Sequence, residues 1–578
     1  MGIIFDARFN GKVDFSIVSI FNEVSYQKRS SFNDLVALIS RQNMNSLDWW
    51  IQGPASRNTY SSPFFHYYCT LYLLSHLDKN NKFTFQEIIV DSPAFKDVIE
   101  ELLIDMGIRN CKVCCKLSFR GVIKNNLVMF GLFFIKFSQV LLARLILGKG
   151  SIPHNEPLTL IDTFIMPEYI ENDRWYGSLW DNLSASQKKT VYFVPTIVLT
   201  SLKKIPAMFK SAKNNSRNFI FKESYINYKD ILFAVRHKSR IKKIKIKPVM
   251  VLGCNISRLI KEELNNNSDM LTVVESILTY RFIRRISRLG VKTRLAIDWF
   301  EGQSLDKAWN LGFHEFYPQA KTIGYRAFEG FPFYLCAYPI PIEKKAGVLP
   351  NTIAVQGEAT VSTVREFFPN LDVLVIPAFK AQYVWNQSVD SLKKSEYIIL
   401  TTLPISASHS SEIINRIANS YHLFNDTKKL VQFIIKPHPT HFIDSVKSCL
   451  PEWPERMLLS REKSLEKLLH SADVLITEAS STCLEALACG IPVIMMENRN
   501  AITYDPIPKN ISSKMYKKIR TKQQLIDAIR YYISRIELDK MQQKAEGLKI
   551  RKKYFEPITS KGVDRLINTN TQMIHKVD

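Results

Sequence analysis

The chain has 578 residues, enough for two large domains or three smaller ones, and its 46% hydrophobic content suits packed cores and excludes a disordered or collagen-like chain. A formal net charge of +24 calls for anionic partners, whether nucleic acid, an anionic membrane face or phosphorylated substrates. Nine cysteines, an odd and scattered set, argue against a disulfide scaffold.

The opening segment carries Asp6 and Arg8 where a secretory signal needs an apolar run, so a cytoplasmic chain is expected. A polar and aromatic cluster follows, Asp48-Trp49-Trp50 through Arg57-Asn58. Arg57 and Asn58 are candidate acceptor or anion contacts, while the two tryptophans suit a core or an interface belt. Cys111, Cys114 and Cys115 stand together without a second Cys/His pair at zinc spacing, so reduced structural thiols are expected and no metal site.

The most apolar stretch runs from Leu127 to Leu147. It is long enough to span a bilayer, but Lys136 and Arg144 would be costly at that depth. Three readings stay open: a buried or half-buried helix of the first domain, a helix lying in the membrane interface with its cations snorkelling, and a spanning helix. Arg236 to Lys247 is dense in cations, either a solvated loop or a patch for anionic lipid. Arg281, Arg284, Arg285 and Arg288 share one helix face, which is expected to be solvated or to meet an anion.

From residue 248 onward, apolar runs at 248–253, 293–297, 321–325, 352–356, 371–376, 396–401, 430–435, 473–477 and 492–496 read as strands. Helical periodicity intervenes at 412–422, 464–471, 482–489 and 522–536. This alternation predicts α/β units with parallel sheets. The polar stretch 377–394 separates two such series, which places domains at 1–378 and 379–578. The last segment, from Ile550, is expected to pack back on the first domain as a helix.

Ligands of open parallel sheets bind beyond the carboxyl ends of the strands. Asp298 and Glu301 follow the strand TRLAI and so stand at such an end, open to a ligand. Either acid can instead cap the next helix. Lys436-Pro437-His438-Pro439 and Ser480-Ser481-Thr482 follow two later strands. The hydroxyl-bearing turn opens a helix, whose free N–H groups suit a phosphate. A competing reading is that Thr482 and Glu485 form an ordinary T-x-x-E capping box.

The run Lys436–Asn498 resembles the donor-binding half of GT-B glycosyltransferases that build bacterial surface polysaccharides. His438-Pro439 is similar to the HP motif of bacterial sialyltransferases and Kdo transferases, and Ser480-Ser481-Thr482 to their Ser/Thr-rich motif. In those families both motifs contact the cytidine nucleotide of a CMP-sugar. Glu485 through Gly490-Ile491-Pro492 looks like the GT-B pattern in which a Glu binds the ribose. Asp298-Trp299-Phe300-Glu301-Gly302 is the nearest match to the acidic motif supplying the base, with Phe300 where an acid is usual. Segments around 48–58 and 300–326 resemble surface-carbohydrate biosynthesis proteins; here Arg326-Ala327 replaces a Gln-His pair, and Arg326 is a candidate for an acidic sugar or a phosphate.

The resemblance implies an α/β GT-B protein, two Rossmann-like domains with parallel sheets facing an interdomain cleft. It implies transfer of an acidic nonulosonic or Kdo-type sugar from a CMP donor to a lipid-linked or growing glycan, without a metal or other cofactor. A cytoplasmic protein, peripheral on the anionic inner membrane, is expected. Alternatives on the same fold are a UDP-sugar transferase or epimerase and a CDP-glycerol glycerophosphotransferase; another is a non-catalytic, membrane-docked glycan assembly protein. No nucleic-acid recognition motif accompanies the charge, so nucleic acid is not expected as a partner.

Overall fold

The computed structural model describes residues 3–79, 85–116, 120–148, 152–153, 156–171, 173–198, 202–265, 270–386, 396–424, 430–438, 443–462, 464–478, 480–497 and 502–568, the side chains of 78–79, 120–130, 168 and 536–537 excepted. Strands β1 (Ile3–Asp6), β2 (Phe85–Val90) and β3 (Lys112–Cys115) form a three-stranded parallel sheet of their own. Strands β4 (Leu158–Ile165) and β5 (Val191–Ile197) come next, then a short hairpin of β6 (Met250–Val251) and β7 (Cys254–Asn255). Strands β8 (Thr293–Trp299), β9 (Lys321–Arg326), β10 (Thr352–Val355) and β11 (Val373–Val375) join β4 and β5 in a six-stranded parallel sheet ordered β11-β10-β9-β8-β4-β5.

The last third of the chain builds a second six-stranded parallel sheet. Its strands are β12 (Glu396–Thr402), β13 (Leu430–Lys436), β14 (Met457–Leu459), β15 (Val474–Thr477), β16 (Val493–Met496) and β17 (Tyr516–Ile519), in the order β14-β13-β12-β15-β16-β17. Counted within the sheet this is 3-2-1-4-5-6, the doubly wound Rossmann order, which reverses between β12 and β15. The side chains show why the sheet needs helices on both faces. Leu400, Leu475, Val493 and Met495 pack into one buried cluster with the helix Thr482–Ala488. Their neighbours Ile399, Val474, Ile476, Ile494 and Met496 point into another with the helices Ala407–Ala418 and Lys522–Tyr554. The period-two alternation of an apolar run thus feeds two cores at once.

The chain then returns. After the helix Lys522–Tyr554, the Ala378 N–H donates to the Glu556 carbonyl (2.9 Å), and the helix Ser560–Ile567 buries Val563, Leu566 and Ile567 against the core of the β4–β11 sheet.

Several expectations are corrected. Within 1–378 there are two separate parallel sheets, and β1 to β5 all precede the first run read as a strand. The run 248–253 yields only Met250–Val251, because Leu252 (φ +51°) and Gly253 (φ +84°) turn the chain back into a tight hairpin. All but the last residue of the stretch 127–147 lies in the helix Arg120–Ile146, and its spanning reading does not hold. Lys136 is buried, donating to Gln139 Oε1 (2.9 Å) and paired with Glu275, so the helix is packed within its domain. No helix among the described residues is long and apolar enough to cross a membrane. Arg236–Lys247 contains a short helix, His237–Ile241, and Arg240 is tied to Asp48 (2.7 Å). On the arginine face, Arg281 and Arg285 both pair with Asp230, so the protein itself supplies the anion that two of the four require.

Candidate functional site

A cavity of about 670 Å³ opens where the three parallel units meet. From the C-terminal sheet it receives Leu403 to Ser406 directly after β12, and Glu478, Ser480 and Ser481 directly after β15. These two strands flank the point where the strand order reverses, the place where a doubly wound sheet leaves a crevice for its ligand. The strands are joined there: Thr402 Oγ1 donates to Thr477 Oγ1 (2.8 Å). His438, at the end of β13, lines the same cavity; Pro439 lies outside the described residues.

The facing sheet contributes Trp299, Glu301 and Gln303 from the end of β8. Glu301 is rigidly placed. Its backbone N–H donates to Asp306 Oδ2 (2.9 Å), and the loop turns sharply at Gly302, where φ is +74° and a Cβ would lie 1.8 Å from the Cys336 carbonyl oxygen. Its carboxylate accepts from Trp299 Nε1 (2.9 Å), Gln303 Nε2 (2.5 Å) and the Tyr334 hydroxyl (3.1 Å). Three donors leave about one of roughly four acceptor positions open to the cavity.

Asp298, the other candidate base, does not reach the cavity. It is fully buried, one oxygen accepting from Asn310 Nδ2 (3.1 Å) and the other without a partner. Burial, together with the nearby Asp306 and Asp162, pushes its carboxyl well above the ordinary range and disfavours its charged form.

The two candidate anion-binding arginines are spent inside the fold. Arg57 is buried, donating to Glu343 Oε1 (2.9 Å), Asn33 Oδ1 (2.9 Å) and the carbonyls of Leu335 (3.0 Å) and Tyr338 (2.9 Å). It pins the first unit to the second. Arg326 is equally buried, donating to the Ala337 carbonyl (2.7 Å) between the rings of Phe328 and Tyr338. Asn58, beside Arg57, does line the cavity, with Oδ1 accepting from the Tyr60 N–H (3.1 Å).

The predicted capping box is not formed. The helix Thr482–Ala488 starts from Ser481 with no side-chain cap; Ser480 Oγ accepts from the Thr482 N–H (3.2 Å) instead. Glu485 points elsewhere, accepting from the Tyr383 hydroxyl with Lys380 4.0 Å away, and Thr482 and Glu485 are both outside the cavity lining. Ser480 and Ser481 line the cavity; Ser480 Oγ serves the first N–H of the helix as an acceptor and keeps its own O–H to donate.

One functional candidate escapes the sequence. His409, in the first turn of the helix Ala407–Ala418, lines the cavity with Nδ1 2.8 Å from Glu478 Oε1. Burial alone would lower its pKa, but the hydrogen bond and charge of Glu478 carry it above its ordinary value. The available signal was the cluster Ser406-Ala-Ser-His409-Ser-Ser directly after the first strand of the C-terminal series. An aromatic wall was missed as well. Tyr60 of the first unit stacks on Tyr504 of the last (centroids 4.2 Å, 18° between planes), and the Tyr504 hydroxyl donates to the Thr59 carbonyl (3.0 Å).

With two parallel sheets facing one cleft, the fold is α/β of the GT-B arrangement. No protein-family model matches the sequence, and no curated protein matches it. Among solved structures, the chain is similar to MnaA of S. aureus in a UDP co-structure, at 14% identity and a TM-score of 0.43, over 71% of this chain and 95% of that one. It is similar to MurG of Acinetobacter baumannii at 11% identity and a TM-score of 0.37, over 72% and 100%. It is also similar to the glycosyltransferase SnogD of Streptomyces nogalater at 13% identity and a TM-score of 0.40, over 72% and 99%. At such distances chemistry does not transfer from protein to protein, and the site must be read from its own groups.

Those groups divide by side. The C-terminal wall offers hydroxyls and imidazoles, donors suited to a phosphate. The opposite wall offers one braced carboxylate and several aromatic faces. Among the described residues, no group of three His, Cys, Asp or Glu side chains is placed to hold a metal ion.

Proposed function

We propose that the protein is a glycosyltransferase whose nucleotide-sugar donor lies across this cavity. The nucleotide rests on the ends of β12, β13 and β15, and the sugar turns toward Glu301. The observation that carries this reading is the cavity's position at the strand-order reversal of the C-terminal sheet, with a carboxylate from the facing sheet in the same space. In the reaction, the acceptor hydroxyl loses its proton to Glu301 as its oxygen bonds to the anomeric carbon. The bond from that carbon to the phosphate oxygen breaks, and the nucleotide leaves with the electron pair. His409, His438, Ser480 and Ser481 donate to the phosphate as its charge grows.

The donor is a CMP-linked acidic sugar, supported by the HP and Ser/Thr sequence motifs at the two strand ends. The acceptor is a lipid-linked or growing surface glycan on the cytoplasmic side of the membrane. A thermal-shift panel tests the donor. Bound at about 100 times its Kd, a ligand adds about 2.7 kcal/mol to stability. CMP is expected to raise the unfolding midpoint more than UMP or UDP. A larger shift with UDP would reassign the donor to a UDP-sugar, and no shift with any nucleotide would overturn the enzymatic reading.

A further inference from the structure

We propose that the outer face of the helix Arg120–Ile146 docks the protein on an anionic bilayer, whatever the cleft binds. Phe134, Leu141 and Leu145 are 49%, 45% and 81% exposed. Steps of seven and four residues bring all three onto one line of the helix. The opposite face is buried, through Leu132, Lys136, Val140 and Ala143. The stripe is therefore the side the protein leaves uncovered.

Its flanks are cationic. On one side Ala143 packs with Met208, Phe209 and Ala212 of the helix Ile205–Lys213. That helix and the short turn before it expose Lys203, Lys204, Lys210 and Lys213, and Lys213 Nζ donates to the Ile146 carbonyl (3.4 Å) at the stripe's end. On the other side Arg144 donates to the Ile226 carbonyl (2.8 Å), just before the helix Tyr228–Val235, where Tyr228, Lys229 and Leu232 are exposed. Glu171 accepts from Ser211 (3.4 Å) and Asn215 (3.2 Å) at the same edge and leaves the cations in excess.

An apolar line between rows of lysines is the pattern of a helix lying in a membrane interface, with leucines among the acyl chains and ammonium groups at the phosphates. A second copy of this chain would bring like-charged rows together, which disfavours it as the occupant. The sequence reading of a buried helix holds for the packed face, and the proposal assigns the interfacial reading to the opposite face.

The test is co-sedimentation of the full chain with phosphatidylcholine vesicles, alone or with about 30% phosphatidylglycerol. Binding is expected to the anionic vesicles only and to fall with salt. The Leu141→Gln/Leu145→Gln variant, changed at exposed positions, is expected to lose about tenfold or more in partitioning, and Lys210→Glu/Lys213→Glu a similar amount. Leu538→Gln/Met541→Gln, at exposed positions on the helix Lys522–Tyr554, is expected to bind as the wild type does. Equal binding to neutral vesicles, no binding at all, undiminished binding by the stripe variant, or loss in the Leu538/Met541 variant would each overturn the proposal. So would a dimer in solution that the stripe variant dissociates.

Discussion

At the ends of β8 and β9, most of the polar chemistry is turned inward: Asp298 is buried beside Asn310, Arg326 is closed on a backbone carbonyl, and only Glu301 and its bracing groups face the cavity. At the ends of β12, β13 and β15, small hydroxyls and imidazoles stand in the cavity wall. The contrast has a physical basis. A buried polar group is satisfied within the fold or has its charged form suppressed, and either outcome withdraws it from a ligand. Small hydroxyls carry little desolvation cost and stay available. On the proposed reading, one sheet is the braced wall that carries Glu301, and the other receives the nucleotide.

The strongest break of this contrast is Glu301→Gln. If Glu301 is the base, transfer is expected to fall by about 10³-fold, with nucleotide affinity within about threefold of wild type, in paired turnover and calorimetric measurements. Next in size is Arg57→Met. Removing one member of the buried Arg57–Glu343–Lys307 set is expected to cost about 3–5 kcal/mol in chemical denaturation, because Glu343 is left with less than its full pairing. An arginine serving the ligand would instead cost affinity with little change in stability.

His409→Gln is expected to weaken nucleotide binding by about tenfold, the scale of a charge-assisted hydrogen bond. The sign of its pH dependence follows from a pKa raised above the ordinary 6.5. The His409–Glu478 ion pair stabilises the fold fully below 6.5 and is lost as pH rises through the raised value. Wild-type nucleotide affinity and stability should both decline over that window, and the variant should show neither decline. The smallest effect belongs to Asp298→Asn. Asp298 lies outside the cavity and burial disfavours its charged form, so a neutral amide of the same shape is expected to leave activity within about threefold of wild type and stability unchanged or slightly raised. A loss near that of Glu301→Gln would move the base to Asp298.

Much of the C-terminal sheet was legible because its strands are apolar runs closed by turn residues. The edge strands β14 and β17 were not: one spans Met457–Leu459, and the other, Tyr516–Ile519, holds two lysines in four residues. β5 is also an edge strand, and its Pro195 would be excluded from a sheet centre. In the site, strand-end position together with the motif resemblances indicated Glu301, His438, Ser480 and Ser481, all of which the structure brings into one cavity. Position says nothing about which way a side chain turns. Arg57 and Arg326 look like ligand contacts until Glu343 and the Ala337 carbonyl are seen to occupy them. His409 acquires its meaning from Glu478, at the end of a strand distant in sequence. The Thr482–Glu485 spacing is a sound capping signal that is overridden by Tyr383, which draws Glu485 away.

The most direct measurement is nucleotide affinity in two variants side by side, by calorimetry: Ser480→Ala/Ser481→Ala with His438→Ala on the receptor wall, and Glu301→Gln on the facing wall. The account predicts that the first loses CMP binding by about tenfold or more while the second keeps it. Retained binding in the receptor-wall variant, with loss in Glu301→Gln, would contradict it.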